Sequence, residues 1–341
     1  MKKSLMTLGV LALFVLMAYG QEKKFALYSV AFYNMENLFD TIHDEGKNDY
    51  EYLPNGTNQW NTMKYKAKLK NMSEILSMLS TDKLPMGPAI IGVSEIENYR
   101  VLEDILKQPV LADRGYQYVH YEGADQRGVD CAFFYNPKLF ELTNSKLVPY
   151  VYINDTVHKT RGFLIASGNI AGEKMHFIVN HWPSRAAASP ARERAWEQVR
   201  AIKDSLLRED SAAKIVIMGD MNDDPMDKSM AVALGAKRKP ADVGPTDLYN
   251  PWWDTLKKGY GTLMYKGKWN LFDQIVFTGN LLGTDRSTLK FYKHEIFRRD
   301  FMFQKEGKYK GYPKRTQAGG VWLNGYSDHL PTIIYLIKEV K

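Results

Sequence analysis

Cysteine is almost absent from this chain: 341 residues contain one, Cys131. A single thiol excludes an intramolecular disulfide and any zinc site built on paired cysteines. The His-Glu-x-x-His spacing of zinc hydrolases is also missing, and the histidines are scattered. No proline- or serine-rich stretch divides the chain, and no block is of low complexity. Hydrophobic residues make up 45% and charged residues 25%, which excludes disorder, collagen-like repetition and coiled coil. Charge excess is small as well. The 46 Lys plus Arg against 39 Asp plus Glu leave +7, which permits an anionic partner without demanding one.

The only long uncharged apolar run lies at the start. Lys2 and Lys3 precede Leu5 to Ala18, and Ala18-Tyr19-Gly20 follow before Gln21. A basic region, an apolar stretch and a small-x-small pattern have the order of a Sec-type signal peptide over residues 1–20. The run is shorter than the roughly 20 residues a spanning helix needs. No cysteine follows it to carry a lipid. The expectation is an exported protein, periplasmic or extracellular, with no membrane span in a mature chain of residues 21–341. Losing the two lysines lowers the formal charge from +7 to +5.

Within 21–341, short β-rich runs recur: 26–33, 89–93, 117–121, 129–135, 163–170, 175–179, 214–218, 272–277, 289–297 and 332–337. Turn residues such as Asn136-Pro137 and Thr278-Gly279 separate them. Two helices are marked by apolar stripes. One carries Leu69, Met72, Leu76 and Leu79; the other starts at Ser189-Pro190 and carries Ala195, Val199, Ile202 and Leu206. Many strands and few helices predict an α+β sandwich with packed sheets inside and helices outside. One domain over 21–341 is the expected organisation.

The polar residues at strand ends carry the chemistry. Asn34 and Glu36 follow the first strand, Glu95 ends Ala89 to Val93, Asn180-His181 end the strand through Phe177, and Asp220-Met-Asn222 end Lys214 to Met218. Asp273 opens the strand at Phe272, and Ser327-Asp328-His329 precede the last strand. In antiparallel sheets, exits of some strands meet entries of others at one rim, so these groups can converge. Singly, each has an ordinary explanation: an Asp or Asn after a strand makes a turn, and a buried His satisfies a core hydrogen bond. The joint order carries the weight. Carboxylates, imidazoles and amides together suit a hard cation and a phosphate.

That order, with Tyr33-Asn-Met-Glu-Asn-Leu-Phe39, Val93-Ser-Glu95, Asn180-His-Trp-Pro-Ser-Arg185, Gly219-Asp-Met-Asn222, Phe272-Asp273-Gln-Ile and Ser327-Asp-His-Leu-Pro331, resembles the endonuclease/exonuclease/phosphatase (DNase I-like) superfamily, in a secreted bacterial branch. The resemblance implies a four-layer αββα sandwich with two mainly antiparallel sheets. It implies Glu95 as the principal Mg²⁺ ligand (Mn²⁺ being the alternative), with Asn34 beside it, Asp328 in support and Glu36 as an optional ligand. Asp220 would activate the attacking water, with Asn222 beside it. His329 would meet the phosphoryl oxygen, held by Asp273, and His181 would protonate the leaving oxygen. Apurinic endonucleases of the family lack that second histidine. Arg127, Asn180 and Arg185 are candidates for the substrate phosphate.

The expected activity is that of an exported Mg²⁺-dependent phosphodiesterase, a nuclease on DNA or RNA, with nucleic acid as its partner and no obligate protein partner. The alternatives are a phosphatase, a phospholipid or sphingomyelin phosphodiesterase of the same fold, and a non-catalytic binding module. Trp182, Trp252, Trp253 and Trp269 are candidates for stacking on bases, against the commoner fate of packing. Lys64, Lys66, Lys68 and Lys70 read as a solvated helix face.

Overall fold

The structure is a computed structural model and describes residues 23–152, 157, 159–187 and 189–340. The leader expected at 1–20 lies outside the described residues.

Two six-stranded sheets form the centre. In spatial order the first is β13 (Lys290–Ile296), β16 (Thr332–Val340), β1 (Lys24–Leu38), β2 (Ile90–Ile96), β4 (Asp130–Tyr135) and β3 (Gln117–His120). The second is β5 (Phe140–Val148), β6 (Phe163–Ile170), β7 (Glu173–His181), β8 (Lys214–Asp220), β12 (Asp273–Thr278) and β9 (Leu248–Tyr249). Neighbours are parallel at β1–β2 and β7–β8 and antiparallel elsewhere in the two sheets. Two small hairpins, β10–β11 (Leu263–Tyr265, Lys268–Asn270) and β14–β15 (Gln317–Ala318, Val321–Trp322), stand outside them.

Central strands here are apolar on both faces, because each face has its own partner layer. Val30 and Phe32 of β1 meet Phe177, Val179, Val216 and Met218 of the other sheet between the two sheets. Ala31 and Tyr33 face outward onto α1 (Thr62–Met78) and α2 (Tyr99–Leu106), through Leu69, Met72, Ile75, Leu76 and Val101. Ile215 and Ile217 of β8 likewise face outward onto Ala195, Trp196 and Val199 of α4 (Ser189–Glu209). The layers are therefore helix, sheet, sheet, helix, as the sequence led one to expect. Two shorter helices, α3 (Pro109–Ala112) and α5 (Trp253–Lys257), complete the set. No helix among the described residues is long and apolar enough to cross a membrane.

The ten sequence-marked strands are all present. Strand β5 was not among them: it pairs only with β6, and its half-exposed sequence Phe-Glu-Leu-Thr-Asn-Ser-Lys-Leu-Val carries too many polar residues to stand out. Lys68 corrects the helix-face reading. It is fully buried in α1, its Nζ donating at 2.5 Å both to Thr316 Oγ1 and to the Tyr326 carbonyl. The tryptophans Trp182 and Trp252 are core residues, not exposed stacking faces. Trp252 donates its Nε1 to the Ile275 carbonyl.

Candidate active site

Strand register brings the acids and histidines to one rim. His181 ends β7 directly beside Asp220 at the end of β8, and Asp220 pairs with Asp273 at the start of β12. The Gly of Gly219-Asp220 is required by this pairing, since a Cβ there would lie 2.2 Å from the Asn180 carbonyl. From the other sheet, Asn34 at the end of β1 reaches across, and its Nδ2 donates to Asp220 Oδ2 at 3.0 Å. Ser327 anchors the last motif. Its hydroxyl donates to the Asn34 carbonyl at 2.8 Å and accepts the His329 amide at 3.1 Å.

Glu95 reaches the rim through a bulge. Ser94 pairs with Cys131 and Ile96 with Asp130, which leaves Glu95 unpaired with φ +58°. Such an extra residue re-aims a side chain at a strand end. Opposite it, β1 bulges between Asn34 and Leu38, with Glu36 and Asn37 also in the left-handed region. There the Asn37 amide donates to Glu95 Oε2 at 3.0 Å. Left-handed backbone at non-glycine residues is costly and clusters where a site needs it.

Asp220 is held from both sides, since the Asn222 amide donates to its Oδ1 at 2.9 Å. Burial pushes its carboxyl up to about 7; the nearby His329 opposes the shift and Asp273 adds to it. His329 and Asp273 form a buried pair, Nδ1 to Oδ2 at 2.7 Å. Burial disfavours the His329 cation, but Asp273 and Asp220 outweigh it and hold the imidazole well above the ordinary histidine range. His329 Nε2 then faces Asp220 Oδ2 at 3.8 Å and Asp328 Oδ1 at 3.9 Å. His181 goes the other way. Burial, with the charges of Arg161 and Arg127, pulls it well below the histidine range, so its ring is neutral. Its Nε2 lies 3.6 Å from Glu95 Oε1 and 3.7 Å from Asp220 Oδ2.

Ligand atoms of Glu95, His181 and Asp220 lie within 4.8 Å of one another, as do those of Asp220, Asp273 and His329. The first group fits a divalent cation: two carboxylates supply charge, and the neutral His181 imidazole, whose Nε2 faces both, supplies a lone pair. The second is already closed by the His329–Asp273 hydrogen bond.

Other expected residues are placed differently. Glu36 and Asp328 are ion-paired through Arg315, with Asp328 still facing His329 by its other oxygen. Arg315 Nε donates to Glu36 Oε1 at 2.8 Å, its Nη2 meets Asp328 Oδ2 at 3.1 Å, and the Thr316 amide donates to Glu36 Oε2 at 2.7 Å. Asn180 is fully buried and spends both Nδ2 hydrogens on the Ile178 and Met218 carbonyls, so it braces β7 against β8 and has no donor left for a phosphate. Arg185 is spent as well: Nη2 pairs with Asp227 at 2.7 Å and Nε donates to the Asn222 carbonyl at 3.0 Å. It steadies the Asn222 turn. Arg127 is half-exposed beside Asp125, its Nε 3.7 Å from Oδ1.

Sequence reasoning missed three cations. Arg161 is buried and donates to the His181 and Trp182 carbonyls and to Asp125, fixing the end of β7. No local pattern marks it, because Asp125, His181 and Trp182, which fix it, are remote in sequence. Arg315 ends a lysine-rich loop that gave no separate signal. Lys68 did leave one: Tyr65, Lys68, Met72 and Ile75 share a helical stripe, and all four are buried.

Residues 29–338 match the Endonuclease/Exonuclease/phosphatase family. The chain belongs to this family. Its members hydrolyse phosphoric esters, and the endonuclease/exonuclease/phosphatase fold is repeated in solved structures. A family protein from Bacteroides thetaiotaomicron superposes with a TM-score of 0.57 at 15% identity, covering 93% of this chain and 97% of that one. A mannosyl-6-phosphatase from the same organism gives 0.56 at 15%, covering 91% and 99%. The D. rerio TDP2 complexed with a single-strand DNA product gives 0.53 at 14%, again covering 91% and 99%. No curated protein sequence matches the chain. The chain is a phosphoric ester hydrolase of this family, with Glu95, His181, Asp220, Asp273 and His329 gathered at one rim.

Proposed function

We propose that this hydrolase is an exported phosphodiesterase that uses Mg²⁺ or Mn²⁺ and acts on nucleic acid. One observation carries the catalytic part: a carboxyl poised near neutrality, Asp220, faces a cationic imidazole, His329, across a gap of 3.8 Å. A base near the working pH takes a proton efficiently, and a cationic N–H stabilises developing negative charge.

Asp220, oriented by Asn34 and Asn222, accepts a proton from water as the water oxygen bonds to phosphorus. The His329 Nε2–H donates to a phosphoryl oxygen and stabilises the charge that develops there, while the leaving oxygen takes its proton from solvent as the old P–O bond breaks. Asp273 keeps the proton on the ring throughout. The neutral His181 has no readily given proton, so it suits ligand or acceptor duty better than the acid role its position in the sequence suggested. A divalent cation held by Glu95 and His181, with Asn34 nearby, would supply charge neutralisation at the phosphoryl group. Oxygen donors favour Mg²⁺, and the imidazole keeps Mn²⁺ beside it.

The nucleic-acid part is supported by the TDP2 likeness, since that protein is seen with a DNA product. A sugar monoester is the second reading. It is favoured by a polar cleft of about 370 Å³ lined by Glu36, Asn37, Asn58, Arg315 and Gln317 beside the site, and by the mannosyl-6-phosphatase likeness.

Purified protein with chelator should lose all turnover, and added Mg²⁺ or Mn²⁺ should restore it. On a panel of plasmid, single-stranded DNA, RNA, a bis-aryl phosphate, mannose 6-phosphate and sphingomyelin, the nucleic acids and the bis-aryl phosphate should be hydrolysed, and the sugar phosphate and the lipid should not. Turnover of the monoester or the lipid alone would overturn the nuclease reading. Export is carried by the leader-like first twenty residues. The mass of protein recovered outside the cytoplasm should correspond to a chain starting at Gln21, and an intact Met1 there would refute cleavage.

A further inference from the structure

Two loops beside the site form a ledge that the catalytic reading leaves unused. One is the β10–β11 hairpin, whose tip Tyr265-Lys-Gly-Lys268 is exposed. The other, residues 303–315, carries five Lys or Arg against one Glu. It is an ordered turn: the Gln304 amide donates to the Tyr312 carbonyl at 2.8 Å, the Gly311 amide to the Gln304 carbonyl at 2.8 Å, and the Lys314 amide to the Met302 carbonyl at 2.7 Å. The loops are fastened together. The Gly267 amide donates to the Tyr312 hydroxyl at 2.6 Å, and Trp269 packs edge-on to Phe303. Below them the Arg298 guanidinium sits 4.9 Å from the Trp269 ring centre and 5.0 Å from that of Phe303.

The ledge gathers charge of one sign in a small area. Lys266, Lys268, Lys305, Lys308 and Lys310 are all exposed, and among the described residues none of them meets a carboxylate. Other exposed lysines such as Lys66 and Lys174 also lack a carboxylate partner among the described residues; the ledge differs in grouping five of them on two loops fastened together. Between the ledge lysines stand two exposed rings, Tyr265 at 62% and Tyr309 at 51%. Lys266 lies 5.3 Å from the centre of the Tyr265 ring and Lys308 5.6 Å from that of Tyr309, so cation and exposed ring stand side by side, matching a strand whose phosphates and bases alternate in the same way. Both loops are rooted at the site. Leu263 bridges His329, Arg315 holds Glu36 and Asp328, and Tyr309 walls the polar cleft beside them.

We propose that this ledge is the track for a single-stranded nucleic acid, with the lysines on its phosphates and Tyr309 and Tyr265 stacking on its bases. The inference deepens the nuclease reading and rests on it for biological sense, but its test does not depend on turnover. Binding of a fluorescent 15-mer single strand to the full protein is measured by anisotropy in EDTA, where no strand is cut. Lys305→Ala/Lys308→Ala/Lys310→Ala should lower the steepness of the log–log salt dependence by about 2, since each lost phosphate contact removes roughly 0.7. Tyr309→Ala should weaken binding roughly 5- to 150-fold, the range for one lost base stack. Lys66→Ala/Lys70→Ala on α1 is the control and should bind as wild type.

The ledge is overturned if the triple variant, folded by its melting curve, binds the strand as wild type does. It is overturned too if duplex binds as well as single strand, because stacking needs free bases. Loss of binding to anionic lipid vesicles in the triple variant, with no oligonucleotide binding by the wild type, would reassign the surface to membranes. A wild type that cuts strands alongside an unaffected triple variant would defeat the ledge and leave the nuclease reading standing. Strand binding through the ledge with no phosphodiester turnover in Mg²⁺ would do the reverse.

Discussion

Asp220→Asn and His329→Ala are each expected to lower kcat by about 10²–10⁴-fold, the usual contribution of a positioned acid or base. The two should differ in stability. Asparagine keeps the shape of Asp220 and its one carbonyl can accept from Asn34 or from the Asn222 amide but not both, so its melting temperature should fall only modestly. Alanine at 329 strips Asp273 of its only side-chain partner: Oδ2 loses a 2.7 Å hydrogen bond, and Oδ1 has none to begin with. A hydrogen bond to a charged group is worth roughly 1.5–3 kcal/mol, and a stranded buried carboxylate costs more. His329→Ala should therefore melt measurably lower, and His329→Ala/Asp273→Ala should regain stability without regaining turnover. Steady-state kinetics and thermal melts decide it. Near-native kcat in either single variant would remove that residue from the mechanism.

Lys68→Met is expected to be the most damaging change away from the reacting groups. The side chain of Lys68 is wholly enclosed, and its ammonium donates to Thr316 Oγ1 and the Tyr326 carbonyl. Burial lowers its pKa to about 8, against the pull of Glu36, Asp328 and Glu95. It is thus an internal cation beneath three acids, and it ties α1 to the loop that carries Arg315 and to the approach to His329. Two charge-assisted hydrogen bonds of roughly 1.5–3 kcal/mol each disappear in the methionine variant, so about 3 kcal/mol or more of stability should go with them. Glu36, already pushed up to about 7 by burial and Asp328, loses an opposing charge as well. Denaturant unfolding gives the stability change directly. If Lys68→Met unfolds at the wild-type midpoint with full activity, the lysine is incidental.

Much of this site was readable from strand ends, because register does the assembling. Once β7, β8 and β12 are neighbours, His181, Asp220 and Asp273 must meet. What the sequence hid depends on departures from regular backbone or on contacts between distant residues. Glu95 points into the site only because β2 bulges, and no residue type announces that bulge. Asn180 looked like a phosphate donor, yet alternation along β7 turns it inward when His181 faces the rim. Arg185 looked like a clamp, but Asp227 and the Asn222 carbonyl had already taken its donors. Lys68 sat in an alternating lysine run whose outer members are solvated, and only its shared stripe with Tyr65 and Met72 set it apart.

The position of β16 has a consequence in time. This strand follows His329 and inserts between β13 and β1, the latter carrying Asn34. A chain interrupted before residue 332 has no strand to fill that place, so β1 lacks its neighbour on that side and His329 lacks the strand that follows it. Hydrolytic power would appear in one step, only once β16 has been made. A copy cut short before that strand would be harmless to its maker's own phosphoric esters.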